Sequence, residues 1–271
     1  MLELLRYNFF VYALAGLVLI SISSAVIGTY VITRRLVAIS GGVTHACFGG
    51  LGLGYFLGWN PILMAGVFAI ASSVGVEWAS ARWRLREDSA IAVIWALGMA
   101  IGVLFVFLTP GYVPELNSFL FGNVLTISER DLWAFGIYTV LLGAFFAWKY
   151  RQIVACAFDR DFARVIGLPT RFISYTMTVF IAVGIVLTIR LVGVMLLMAM
   201  LSLPMMAAEA FCRSFGRIMI VSVAISICCS LGGLMIGATA DVPCSAFIVL
   251  CGVGVFFLSR VYSFLKSRKE A

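Results

Sequence analysis

The constraint that dominates this chain is how little charge it carries. Asp, Glu, Lys and Arg make up 11% of its residues and 63% are hydrophobic, with the charges gathered into short bunches between long apolar runs. Water-facing surfaces are built mostly from the polar residues missing here, so most of this surface must face hydrocarbon. A bilayer core about 30 Å thick takes roughly 20 apolar helical residues to cross. Runs of that order fall at 8–33, 36–57, 61–81, 88–109, 131–148, 172–191, 193–212, 217–238 and 243–262. The expected fold is an all-α polytopic membrane protein with about eight to nine transmembrane helices. Repeats and low-complexity tracts are absent, so residues 1–271 are read as a single transmembrane domain.

A formal charge of +7 and a pI near 9.2 would suit a nucleic-acid binder if the basic residues shared one soluble surface. Instead, sixteen of the nineteen Lys and Arg follow alternate apolar runs: Arg34 and Arg35; Arg82, Arg84 and Arg86; Lys149, Arg151, Arg160, Arg164 and Arg171; Arg213 and Arg217; and Arg260, Lys266, Arg268 and Lys269. An alternating thread places all of these on one side, and retention of Lys and Arg on the cytoplasmic side makes that side the interior. The basicity therefore reports topology, with membrane lipid as a partner and no nucleic acid. The expected setting is a membrane crossed many times, with a cytoplasmic C-terminus.

Several local features stand out. The stretch 111–130 is too polar at its ends and too short in its apolar middle to cross, and reads as a re-entrant or interfacial helix. The second run holds Gly41, Gly42, Gly49, Gly50, Gly52, Gly54 and Gly58 around His45. Small residues let helix backbones approach closely in lipid, so this run is expected at the centre of the packing. Pro204, twelve residues into the seventh run, is expected to kink it and is a possible hinge. Glu77 is expected to pair with nearby Arg82 at the membrane border. The seven cysteines contain no C-x-x-C pair and read as small hydrophobes inside apolar runs.

The segment between Lys149 and Arg171 carries its own helix signals. Asp159 suits an N-cap, Asp161 favours the first turn, Gly167 serves as a C-cap, and Pro169 stops continuation. The result is a two-turn helix with Phe162, Val165 and Ile166 at spacing i, i+3, i+4, an apolar stripe on a loop surrounded by water. By pattern alone it either lies on lipid headgroups or docks a partner.

Here the chain resembles the permease subunits of bacterial ABC importers for zinc, manganese and iron. The run Phe158-Asp159-x-x-Phe162-Ala163-x-x-x-Gly167 is similar to that family's coupling helix, which docks in a groove of the ATPase subunit. The resemblance thus implies a cytoplasmic coupling helix with Phe158, Asp159, Phe162, Ala163, Val165, Ile166 and Gly167 in the ATPase contact. Leu120-Phe121-Gly122-Asn123-Val124-Leu125 with Asp131 resembles a second family signature. So do Ser40 to Gly50, Asp88-Ser89-Ala90-Ile91, Val192-Gly193 through Leu203-Pro204 to Ala207-Ala208, and Asp241-x-Pro243-x-Ser245-Ala246. Each alone is a few small or apolar residues; their order and separation make the match specific. The partners implied are ABC ATPase subunits in the cytoplasm, an extracytoplasmic metal-binding protein, and a second permease copy forming a dimer.

His45 is the chain's only histidine and lies within an apolar run, where ionisable groups usually face a pathway or a partner. Neutral imidazole is a common ligand for zinc-like ions, and the alternative is a ring satisfied by a neighbouring carbonyl. The matching family position is a pathway histidine. The sequence departs from the family one turn earlier, where Gly41 stands in place of an aspartate. Further metal ligands would then be Cys47, Thr44, Asp241 or the His45 of a second subunit.

No catalytic or cofactor-binding residues are expected. The phosphate-binding G-x-x-x-x-G-K-[ST], H-E-x-x-H and G-x-S-x-G patterns are all absent, so ATP acts only through a partner ATPase and the divalent metal is cargo. The resemblance makes the chain a non-enzymatic permease subunit of an ATP-driven divalent-metal importer. The alternatives are a permease for a metal chelate of siderophore or cobalamin type, and a secondary transporter or channel. Against the latter stands the scarcity of acidic residues within the runs, which gradient-driven carriers use for coupling.

Overall fold

A computed structural model describes residues 7–83, 85–110, 122, 124–240 and 242–270. Among the described residues there are nine α-helices and no strand: α1 (Asn8–Thr33), α2 (Val37–Leu57), α3 (Pro61–Trp83), α4 (Glu87–Leu108), α5 (Glu129–Phe158), α6 (Arg160–Val165), α7 (Thr170–Ala208), α8 (Phe215–Ala240) and α9 (Cys244–Glu270). All but the six-residue α6 are long and apolar enough to cross a membrane. The protein is an all-α polytopic membrane protein.

Helices and apolar runs do not all share their ends: α9 continues eight residues past the ninth run, to Glu270. The fifth run ends at 148, yet α5 continues to Phe158 across a local departure at Lys149 (φ −110°, ψ 18°). Charges such as Lys149 and Arg151 end a membrane span, but they are good helix formers and do not end a helix in water. The sixth and seventh runs join as α7, 39 residues interrupted at Gly193 (φ 78°, ψ 171°). At about 1.5 Å per residue the part before Gly193 is roughly 34 Å long, enough for one crossing, and the part after it roughly 22 Å. Of the expected interfacial helix, residues 111–121 and 123 lie outside the described residues; Val124–Thr126 form a single 3₁₀ turn. Ser128 and Asp131 then cap α5 reciprocally. The Asp131 carboxylate accepts from the Ser128 hydroxyl at 2.6 Å and the Ser128 amide at 3.1 Å, and the Asp131 amide donates to Ser128 Oγ at 3.3 Å.

The chain divides into two compact units, one comprising Met1–Ile32, Phe121–Phe145 and Leu191–Ala271, the other Thr33–Leu120 and Phe146–Arg190. In the first, α1 and α8 meet at buried Ser21 and Ser230, whose hydroxyls are 3.0 Å apart. Gly28 of α1 lies directly against the carbonyl of Leu201 in α7, and Gly237 of α8 against Cys244 of α9. Gly122 (φ +60°) presses on the backbone of Val192 and Gly193, at the interruption of α7, where any Cβ would collide.

In the second unit α2 packs between α3 and α4 and is the most deeply buried of the spanning helices. Gly50 and Gly54 face Met64 and Pro61, so α2 and α3 run antiparallel. Gly42 faces Ile91, Ala46 faces Gly98 and Gly52 faces Gly102, so α2 and α4 run parallel. At Gly52 a Cβ would stand 2.5 Å from the carbonyl oxygen of Gly102, closer than any side chain tolerates. Glycine is what lets these helices pack backbone to backbone in lipid.

Candidate functional site

The second unit contains two of the functional elements marked in the sequence, and the first is α6. Asp159 is extended (φ −146°, ψ 101°) and its Oδ1 accepts from the amides of Asp161 at 3.0 Å and Phe162 at 2.9 Å, satisfying two of the helix's open donors. At the far end Gly167 sits at φ +78°. Its amide donates to the Arg164 carbonyl at 3.1 Å, and that of Leu168 donates to Ala163 at 3.0 Å. That paired closure uses the left-handed glycine. Ala163 is fully buried, whereas Phe158, Phe162, Val165 and Ile166 are exposed, Val165 by 84%. One face of α6 is thus seated on the protein and the other presents apolar side chains outward.

At the root of α6 lies a charge cluster. Arg34 Nη2 donates to Glu87 Oε1 at 2.7 Å, and Arg34 Nη1 is 3.9 Å from Glu77 Oε2. Arg160 Nη2 donates to Glu77 Oε1, and Arg160 Nη1 lies 3.6 Å from Glu87 Oε1. Side-chain exposure runs from 5% at Glu77 to 26% at Glu87. Glu77 therefore pairs with Arg34 and Arg160 and not with Arg82, which is exposed. Arg82, five residues along α3, points about 140° away around the helix.

The second element is His45 on α2. Its ring stacks on Trp95 of α4, with centroids 4.6 Å apart and planes within 5°, and Phe48 lies 6.1 Å away. His45 Nδ1 is buried with no hydrogen-bond partner among the described residues. Stacking fixes the ring plane without using the nitrogen lone pairs, which lie in that plane.

Other sequence-marked groups do not converge on it. Cys47 is buried about 200° around the helix from His45, and its thiol donates to the Val43 carbonyl at 3.1 Å. Thr44 Oγ1 donates to the Ser40 carbonyl at 2.5 Å. Asp241 lies outside the described residues. Among those described, no three His, Cys, Asp or Glu side chains gather as a metal site. Pro204 is buried within α7, whose break in helical dihedrals comes eleven residues earlier, at Gly193. Within the first unit a cleft of about 720 Å³ is lined by Leu125, Met195, Pro243, Cys244 and Leu250 among others.

Sequence reasoning missed Trp95 and the charge cluster. A signal for Trp95 was present: Gly98 and Gly102 form a G-x-x-x-G pair marking the contact face of α4, and Trp95 stands one turn before Gly98 on that face.

Residues 6–263 match the ABC 3 transport family. A probable metal transport system membrane protein of Chlamydia pneumoniae is 34% identical over 86% of this chain and 82% of its own length. A manganese transport system membrane protein of Listeria innocua is 26% identical over 96% of this chain and 92% of its own. In fold the chain is similar to the PsaBC structure from Streptococcus pneumoniae in complex with Fab. The TM-score is 0.82 at 23% identity, covering 94% of this chain and 92% of that one.

Proposed function

Since the chain belongs to the ABC 3 transport family, we propose that it is the transmembrane permease subunit of an ATP-driven importer of a divalent metal ion: zinc, manganese or iron. Relatives named for metal and manganese transport support that cargo. ATP is hydrolysed by a separate cytoplasmic ATPase that docks on α6, an extracytoplasmic binding protein delivers the metal, and two permease copies enclose the path in the inner membrane with their C-termini in the cytoplasm. The observation that carries the reading is α6 itself, closed at both ends by its own residues and presenting Phe162, Val165 and Ile166 outward.

In this reading His45, held flat by Trp95, offers one neutral imidazole to the passing ion. A site this sparse suits a conduit, because an ion bound too tightly would not leave. ATP-driven closure of the ATPases displaces α6 and exposes the path alternately to either side. The test is uptake of free divalent metal by vesicles holding the permease, its ATPase and its binding protein. His45→Ala is expected to cut uptake about tenfold or more, the loss of one good ligand interaction, at unchanged membrane abundance. Unchanged uptake would remove His45 from the path, and uptake of chelated but not free metal would replace the cargo.

A further inference from the structure

Neither docking of an ATPase nor passage of an ion accounts for the charge cluster at the root of α6. Its members come from four stretches of chain: Arg34 just after α1, Glu77 inside α3, Glu87 opening α4 and Arg160 opening α6. Each carboxylate approaches both guanidinium groups, and each guanidinium approaches both carboxylates. Two positive and two negative charges neutralise one another, which is the condition for burying them. Such a group contributes less to stability than to geometry, because planar guanidinium forks fix both the position and the orientation of the carboxylates they grip.

We infer that Arg34, Glu77, Glu87 and Arg160 are positioning residues forming a charge-neutral clamp that fastens α6 to α3 and α4, so that displacement of α6 is carried into the helices around His45. The clamp rests on the reading of α6 as the ATPase-docking helix. The path it defines stays within one compact unit. From Glu87 to Trp95 is eight residues along α4, about 12 Å of rigid helix, and Trp95 lies flat on His45. α2 itself is pressed against α4 at Gly52 and Gly102. Packed helices transmit displacement where a flexible tether absorbs it. Without the clamp α6 is held by its short connections to α5 and α7 and by the packing around buried Ala163 alone.

The test is Glu77→Gln combined with Arg160→Gln in the full chain. This double variant removes one charge of each sign and leaves the Arg34–Glu87 pair at 2.7 Å, so folding survives. Glu77→Gln alone also breaks the clamp but leaves an unbalanced buried positive charge, so it is expected to lose more stability than the double variant. In the purified double variant the amides of 162–168 are expected to exchange hydrogen about tenfold faster than in wild type, with α8 and α9 unchanged. Unaltered exchange in α6 would overturn the clamp. In vesicles with ATPase and binding protein, the double variant is expected to hydrolyse ATP while metal moved per ATP falls about tenfold, the size of an ordinary coupling between sites. A wild-type ratio would overturn the clamp as a transmitter. A wild-type assembly that hydrolysed ATP and moved no metal would refute the importer reading before any variant was compared, and the transmitting role with it.

Discussion

Gly52 offers a direct test of whether backbone contact holds α2 in place. A Cβ there would lie 2.5 Å from the Gly102 carbonyl oxygen, while ordinary contact begins at 3.4 Å. In Gly52→Ala the two helices must therefore separate by about 0.9 Å or deform, and the obstacle is backbone, which has no rotamer to change. Overpacking of this kind costs about 1–3 kcal/mol, set against a gain of up to about 1 kcal/mol in helix propensity. Gly75→Ala is the matched control. Its Cβ meets only Ile94 Cδ1 at 3.6 Å, so it keeps the propensity gain without the clash. The two variants should differ by roughly 2 kcal/mol, or about 4–8 °C in apparent midpoint for a chain of this size. The assay is fluorescence-detected size-exclusion chromatography after heating the detergent-solubilised chain. A midpoint for Gly52→Ala at or above that of Gly75→Ala would show that α2 and α4 are not in backbone contact.

Two further outcomes follow from the local backbone. Asp159→Ala removes the acceptor for two amides and should cost α6 about 1 kcal/mol, read as roughly fivefold faster amide exchange in 161–166; at Gly167 (φ +78°), Asn should be tolerated better than Val, since nothing crowds a Cβ there and only the left-handed backbone discriminates. Gly193→Ala forces a side chain into a region open to glycine alone, at about 1–3 kcal/mol, and should lower the yield of monodisperse protein; a wild-type yield and midpoint would mean that the backbone there is free to relax.

Legibility followed the range of the interaction. Helix positions were readable because hydrocarbon imposes a length and an apolar composition on every span. The closure of α6 was readable because Asp159 and Gly167 act within one turn of themselves. The central place of α2 followed from its glycines. The far ends of α5 and α9 lie beyond the apolar runs because hydropathy marks where a span leaves the bilayer, not where backbone hydrogen bonding stops. Nearness in sequence points Glu77 to Arg82, but its partners lie 43 and 83 residues away, and only the assembled second unit brings them together. Trp95 was hidden for the same reason, although the glycine pair on α4 pointed to its face. The departure at Gly41 was visible at once, but its effect on the ligand set was not.

The closure of α6 has a thermodynamic consequence. A recognition segment that must fold as it binds loses conformational entropy at that moment, and affinity per unit of interface suffers. Asp159 and Gly167 close the segment with its own residues, so in the proposed docking contact by Phe162, Val165 and Ile166 would go directly into association. A small, preorganised surface of that kind favours rapid engagement and release over a tight permanent grip.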